Sequence, residues 1–132
     1  MLKKTIAYVD YNGVKREEDF WFNLTKAEIT EMELSTSGGL AETIQRIIQT
    51  QDQPAIIAIF KDLILKAYGE KSPDGKYFRK SEEIRTNFAQ TEAYSELFMM
   101  LATDADEAAA FINGIDPNME KTNSPAPLEA VK

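Results

Sequence analysis

The sequence predicts an α+β domain, mostly α, in which an N-terminal β-hairpin precedes about five or six helices in a compact bundle. Three observations carry this. A β-branched and aromatic stretch flanks Asn12-Gly13 near the start, and apolar residues recur at helical spacing through most of the remainder. Ser, Thr or Asp also stands where the helical stretches begin.

The expected strands are Thr5–Asp10 and Lys15–Phe22. Thr5, Ile6, Tyr8 and Val9 suit a pleated strand, and the second strand ends on Phe20, Trp21 and Phe22. Asn12-Gly13 tolerate positive φ and suit a tight turn between them. A lone hairpin is marginal in water, so this one must pack against helices or pair with a partner strand.

Thr25 followed by Glu28 reads as a capping box for a first helix that runs to about Leu34. The Ser35–Gly39 stretch then breaks it, and a hinge there would divide the bundle into two lobes. Leu40, Ile44, Ile47 and Ile48 fall on one stripe of a second helix, from about Leu40 to Thr50. Asp52 caps a third, Ala55–Tyr68, with Pro54 in its first turn and Gly69 as its expected C-cap. That helix is apolar around most of its circumference and is the candidate centre of the core.

Ser72-Pro73-Asp74-Gly75 is a turn, and its short flanks form either a minimal second hairpin or a structured loop. Ser81 caps the next helix, whose inner face carries Ile84 and Phe88. Ala93, Tyr94, Leu97, Phe98 and Leu101 form the stripe that follows. Thr103–Asp106 then caps a last helix that turns Ala105, Ala108, Ala109 and Ile112 inwards and stops at Asn113-Gly114. The expected domain is 1–115. Residues 116–132, with Pro117, Pro125 and Pro127 and few apolar residues, read as a disordered polar tail.

Composition narrows the function. The chain has 132 residues and a net charge of −7, and its lysines and arginines are scattered among acids, so phosphate backbones and anionic membranes are disfavoured partners. Its longest apolar run, Ala55–Phe60, is too short to span a bilayer, and a cytoplasmic location is expected. With no cysteine and no histidine, disulfide frameworks, Ser-His-Asp triads, Cys-His dyads and ordinary zinc sites are impossible. No catalytic, cofactor or metal residues are expected: Asp104, Asp106 and Glu107 lack calcium-loop spacing and read as a helix cap, and Pro73–Lys76 has too few glycines for a phosphate loop. Glu82, Glu83, Glu92 and Glu96 fall on solvated helix faces.

The apolar surplus points to protein binding. Phe98, Met99 and Met100 make a soft apolar patch, and Phe20, Trp21 and Phe22 put aromatics on both faces of one strand. These six residues are either core or the contact surface for a partner or a second copy.

Three stretches carry a family likeness: Phe60–Ser72, Thr91–Phe98 and Ala102–Ile115. With the intervening Asp74–Ser81, the opening strands and Phe20–Glu28, their order and spacing resemble the tail assembly chaperones of long-tailed bacteriophages, nearest to those of phages and prophages of Gram-positive bacteria. The resemblance implies a chaperone that binds the helical, aggregation-prone tape measure protein, keeps it soluble and helps recruit tail tube subunits. It further implies a protein absent from the finished virion, often accompanied by a longer frameshifted form, and it carries no catalytic residues. Repeated contacts along a rod-like client would favour self-association. Two rivals stand beside it: a small acidic regulator such as a nucleic-acid-mimicking inhibitor, and a structural tail or connector component. A mimic needs its acids along one surface, whereas here they alternate with Lys and Arg. Presence in purified particles would mark a structural component.

Overall fold

A computed structural model describes residues 1–35 and 39–116. Strands β1 (Leu2–Val9) and β2 (Lys15–Phe22) pair antiparallel in unbroken register, from Leu2 opposite Phe22 to Val9 opposite Lys15. Helices α1 (Lys26–Ser35), α2 (Leu40–Thr50) and α3 (Gln53–Ala67) follow. Strands β3 (Tyr68–Lys71) and β4 (Phe78–Arg79) complete an antiparallel sheet ordered β1-β2-β3-β4. Helices α4 (Glu82–Ala89), α5 (Glu92–Thr103) and α6 (Ala105–Ile115) close the chain on the sheet. The fold is α+β and mostly α, as the sequence predicts.

Alternation in the hairpin decides which face the helices cover. Leu2, Ile6, Tyr8, Phe20 and Phe22 turn towards them, and Ile6 and Phe22 are buried. Against this face pack Ala93, Leu97 and Leu101 of α5, Leu63, Ile64 and Ala67 of α3, and Phe111 and Ile115 of α6. Aromatic rings fill the centre: Phe22 meets Phe111 edge-on at 5.3 Å, and Tyr68 stacks on Phe88 at 4.0 Å. Loss of a ring of this kind costs about 3–5 kcal/mol.

The caps form as the sequence requires. Thr25 Oγ1 accepts from the Glu28 amide while Glu28 Oε1 accepts from the Thr25 amide, a reciprocal capping box. Asp52, Ser81, Thr91 and Asp104 cap α3, α4, α5 and α6. The Asp104 carboxylate accepts from the amides of Asp106 and Glu107, so this acidic group serves the helix terminus.

Three local expectations need correction. The hairpin turn is not one of them: within the Asp10–Val14 connection the Gly13 amide donates to the Asp10 carbonyl at 2.9 Å, and Gly13 takes a positive φ of 79°. Asp10 organises it by accepting from the amides of Asn12 and Val14, and Arg16 holds the Asp10 carboxyl below its usual range. Gly69 does not cap α3: the chain goes straight into β3, where Gly69 pairs with Trp21, and a Cβ there would lie 2.7 Å from the Phe78 ring and 2.8 Å from the Arg79 carbonyl. Nor does Asn113-Gly114 end α6, which runs on to Ile115; Gly114 instead leaves room for Leu2, which packs where a side chain at 114 would stand. Finally, α6 buries Ala108, Phe111 and Ile115, while Ala105 and Ala109 remain exposed. The expected hinge within Ser35–Gly39 falls largely on residues 36–38, and the expected polar tail falls on 117–132 beyond Asp116; both lie outside the described residues.

Candidate functional site

The helices do not close on one another everywhere. Between the α1–α2–α3 layer and the α5–α6 layer lies an open groove of about 790 Å³, the size range of a pocket that takes a ligand or a few large side chains. Its floor is core: Leu24, Phe60, Leu63, Leu101 and Ile115 are buried and present their edges to it. Its walls are Ile29 of α1, Ile44 of α2, Ile56 of α3 and Ile112 of α6, all half-buried.

The gap has a sequence cause. Along the α5–α6 wall stand Ala102, Ala105 and Ala109, each contributing a single methyl group where a larger residue would reach across. Opposite, none of the α2 side chains described is buried, although Ile44 packs against the edge of the core. An amphipathic helix with its apolar stripe only half covered leaves that stripe available to another apolar surface.

The rim has one sign of charge. Gln45, Gln53, Thr103 and Asn113 supply neutral polar groups, and Glu33 and Asp116 supply carboxylates; among the described residues no lysine or arginine lines the groove.

The six residues marked in the sequence do not form one patch. Phe22 is 0% exposed and sits at the centre of the core, so in this conformation it offers nothing to a partner. Phe20, Phe98 and Met100 pack against the core and are half-buried. Trp21 lies on the opposite, outer face of the sheet, with the Lys3 and Lys71 ammonium groups 5.9 and 5.1 Å from its ring centre. Met99 is 53% exposed and is not itself a lining residue; it stands on α5 one turn before Ala102 and Thr103, which do line the groove.

Ile29, Ile44, Ile56, Ala109 and Ile112 were not singled out as binding residues because each belongs to an ordinary helical stripe. Their convergence from separate helices is tertiary information. The one local signal is the alanines of the last helix: Ala105, Ala108 and Ala109 all read as core from the sequence, and all three line the groove.

No group of three or more acidic side chains is placed to hold a metal among the described residues, and no helix among them is long and apolar enough to cross a membrane. What the arrangement can do is bind apolar protein surface.

The chain matches the family model described as phage tail assembly chaperone over residues 1–125. It therefore belongs to the phage tail assembly chaperones. No curated protein and no solved structure matches it.

Proposed function

We propose that this chaperone binds the tape measure protein during tail morphogenesis, keeps it soluble and helps recruit tail tube subunits around it. The observation that carries this reading is the apolar groove, which is framed by half-covered helical stripes and can accept the apolar face of a client helix. The mode is binding, not catalysis. A net charge of −7 keeps a chain with exposed apolar surface in solution.

A chaperone that hands one protein to another needs two surfaces. The groove with Met99 serves the tape measure helix, and the outer sheet face around Trp21 serves a second contact, with a tail tube subunit or another copy of the chaperone. Such a protein acts in the host cytoplasm and leaves before the virion is complete.

Co-expression with the tape measure protein of the same phage tests this. The client, insoluble alone, is expected to become soluble and to elute with the chaperone, and Ala109→Trp, which fills the groove from an exposed position, is expected to abolish both effects. A client that stays insoluble and unbound beside the parent protein removes the proposal.

A further inference from the structure

We infer that the hairpin tip of one copy of the chaperone docks into the apolar groove of another, head to tail. The contact stands without the client reading. Its consequence, competition between the tip and a client helix, rests on the groove being the client site.

Turns are ordinarily built from polar residues and glycine. This one carries apolar side chains on and beside it: Val9 is 50%, Tyr11 76% and Val14 52% exposed. A single exposed apolar residue is ordinary, but three gathered at one projecting end make a patch that suits a partner. The patch is also rigid. The Asp10 carboxylate accepts from the amides of Asn12 and Val14 and from Arg16 Nε, which fixes the connection. The Tyr11 hydroxyl donates to the Gln90 carbonyl at 3.1 Å, with the ring left open to solvent. Side chains already held in place lose little conformational entropy on binding.

Tip and groove lie at opposite ends of the molecule, on two independent measures. Gln90, which the tip touches, stands just before α5, whereas Leu101, Ala102 and Thr103 line the groove at the far end of that helix. The 12 residues of α5 rise about 18 Å. Leu2 likewise meets Gly114, which lies between the lining residues Asn113 and Ile115, and the strand from Leu2 to Val9 extends about 23 Å towards the tip. A tip therefore cannot enter its own groove, and the groove it fills belongs to another copy. That groove, at about 790 Å³ with an apolar floor and walls, is roomy enough for the three side chains. Because the contact joins two different surfaces, it can repeat from copy to copy. With no client present, the tip covers apolar surface that otherwise faces water. A client helix takes the same groove and displaces it, so chaperone assemblies come apart as the client is loaded.

The test uses the full chain and sedimentation velocity through the micromolar range, since a contact of this size is weak. Association is expected to rise with concentration. Tyr11→Ser is expected to weaken it about tenfold or more, and Tyr11→Phe, which keeps the ring, to retain it. Ala109→Trp, or Ala105→Trp if the first disturbs folding, is expected to weaken it as much without shifting the melting temperature. Mixed one to one, the Tyr11→Ser and Ala109→Trp proteins are expected to form a dimer that neither forms alone, because the first keeps its groove and the second keeps its tip. A synthetic amphipathic helix of about 15 residues with a Leu stripe is expected to dissolve the parent's assemblies.

A chain that stays monomeric at every concentration overturns the inference, whether its groove is empty or held by residues 117–132. So does association that survives Tyr11→Ser or Ala109→Trp, or a mixture of the two that stays monomeric. Assemblies that persist with the peptide bound overturn the competition. Co-expression separates this inference from the client reading, because Tyr11→Ser is expected to solubilise the tape measure protein as the parent does. If the client is held by a chain that never associates with itself, the inference falls and the chaperone reading stands.

Discussion

Lys80 Nζ donates to both carboxylate oxygens of Glu28, at 2.9 and 2.8 Å, and to the Asn23 carbonyl at 2.7 Å, so one ammonium ties the first helix to the segments after β2 and β4. Burial alone would raise the Glu28 pKa, but the hydrogen bonds from Lys80 and the Thr25 amide outweigh it and hold the carboxyl below its usual value. Burial pulls Lys80 below its own usual value, with the pair opposing that trend.

The direction fixes a pH dependence. A carboxyl with a lower pKa folded than unfolded contributes its full stabilisation above about pH 4.3 and loses it as pH falls through the folded value. Glu28→Gln is expected to cost about 1–3 kcal/mol at neutral pH, because Lys80 keeps its charge with a weaker partner. The variant's melting temperature should also fall less steeply than the parent's between about pH 5 and pH 3. Parallel curves for the two proteins would show that the pair contributes nothing to acid stability. Adding Lys80→Met should recover part of the loss, since it removes the cation left without its carboxylate.

The aromatic and methionine clusters separate by stability. Phe22→Ala should cost about 3–5 kcal/mol in urea denaturation, and Met100→Ala about 1–3 kcal/mol as a half-buried side chain. Met99→Ser should stay within about 0.5 kcal/mol of the parent and weaken client binding. Unfolding of the Met99→Ser protein would place that residue in the core and remove it from the surface proposed for the client.

Gly69 and Gly114 should respond differently to alanine. At Gly69 the new Cβ meets a backbone carbonyl and an aromatic ring, neither of which can swing aside, and a loss of about 1–3 kcal/mol is expected. At Gly114 the nearest atoms all belong to one half-buried side chain, Leu2 Cδ1 at 2.8 Å with Cβ and Cγ at 3.2 Å; its tip can turn aside and the rest must give by a few tenths of an ångström, while alanine restores up to about 1 kcal/mol of helix propensity. Gly114→Ala should therefore be near neutral by thermal melting, and a Gly114 variant less stable than the Gly69 variant would reverse this ranking.

Trp21 is the single tryptophan and lies across the sheet from the helices, so it reports on the outer face alone. Its emission should stay unchanged when a helical peptide fills the groove. It should shift when a tail tube subunit or a second chaperone docks on the sheet. A shift of equal size with the groove peptide would mean that the two surfaces are not independent.

Most of the fold was legible because its signals are local. Thr25 and Glu28, Asp52, Ser81 and Asp104 cap helices through atoms within a few residues of themselves, and the stripe Ala93, Leu97, Leu101 needs only helical periodicity. Misreadings arose where a distant residue decided the outcome. Gly69 looks like a helix stop until Trp21 pairs with it and Phe78 covers it, and Gly114 looks like one until Leu2 fills its place. The groove was illegible for the same reason, since Ile44, Ile56 and Ala109 meet only after the helices have packed. Among the six marked residues, alternation in β2 separates Trp21 from Phe20 and Phe22, but which face would be covered depended on helices far along the chain.

The contact between Leu2 and Gly114 sets a schedule for synthesis. The opening strand rests on the closing helix, the Leu24 amide donates to the Ile115 carbonyl at 3.1 Å, and Lys4 meets Glu107 at 3.5 Å. A chain emerging from the ribosome can therefore form its hairpin early, but it cannot seat that hairpin until residues near 115 are made. The groove, which draws walls from both halves of the chain, appears only with that last step. An unfinished chain thus lacks the groove, and with it the surface proposed above for a client.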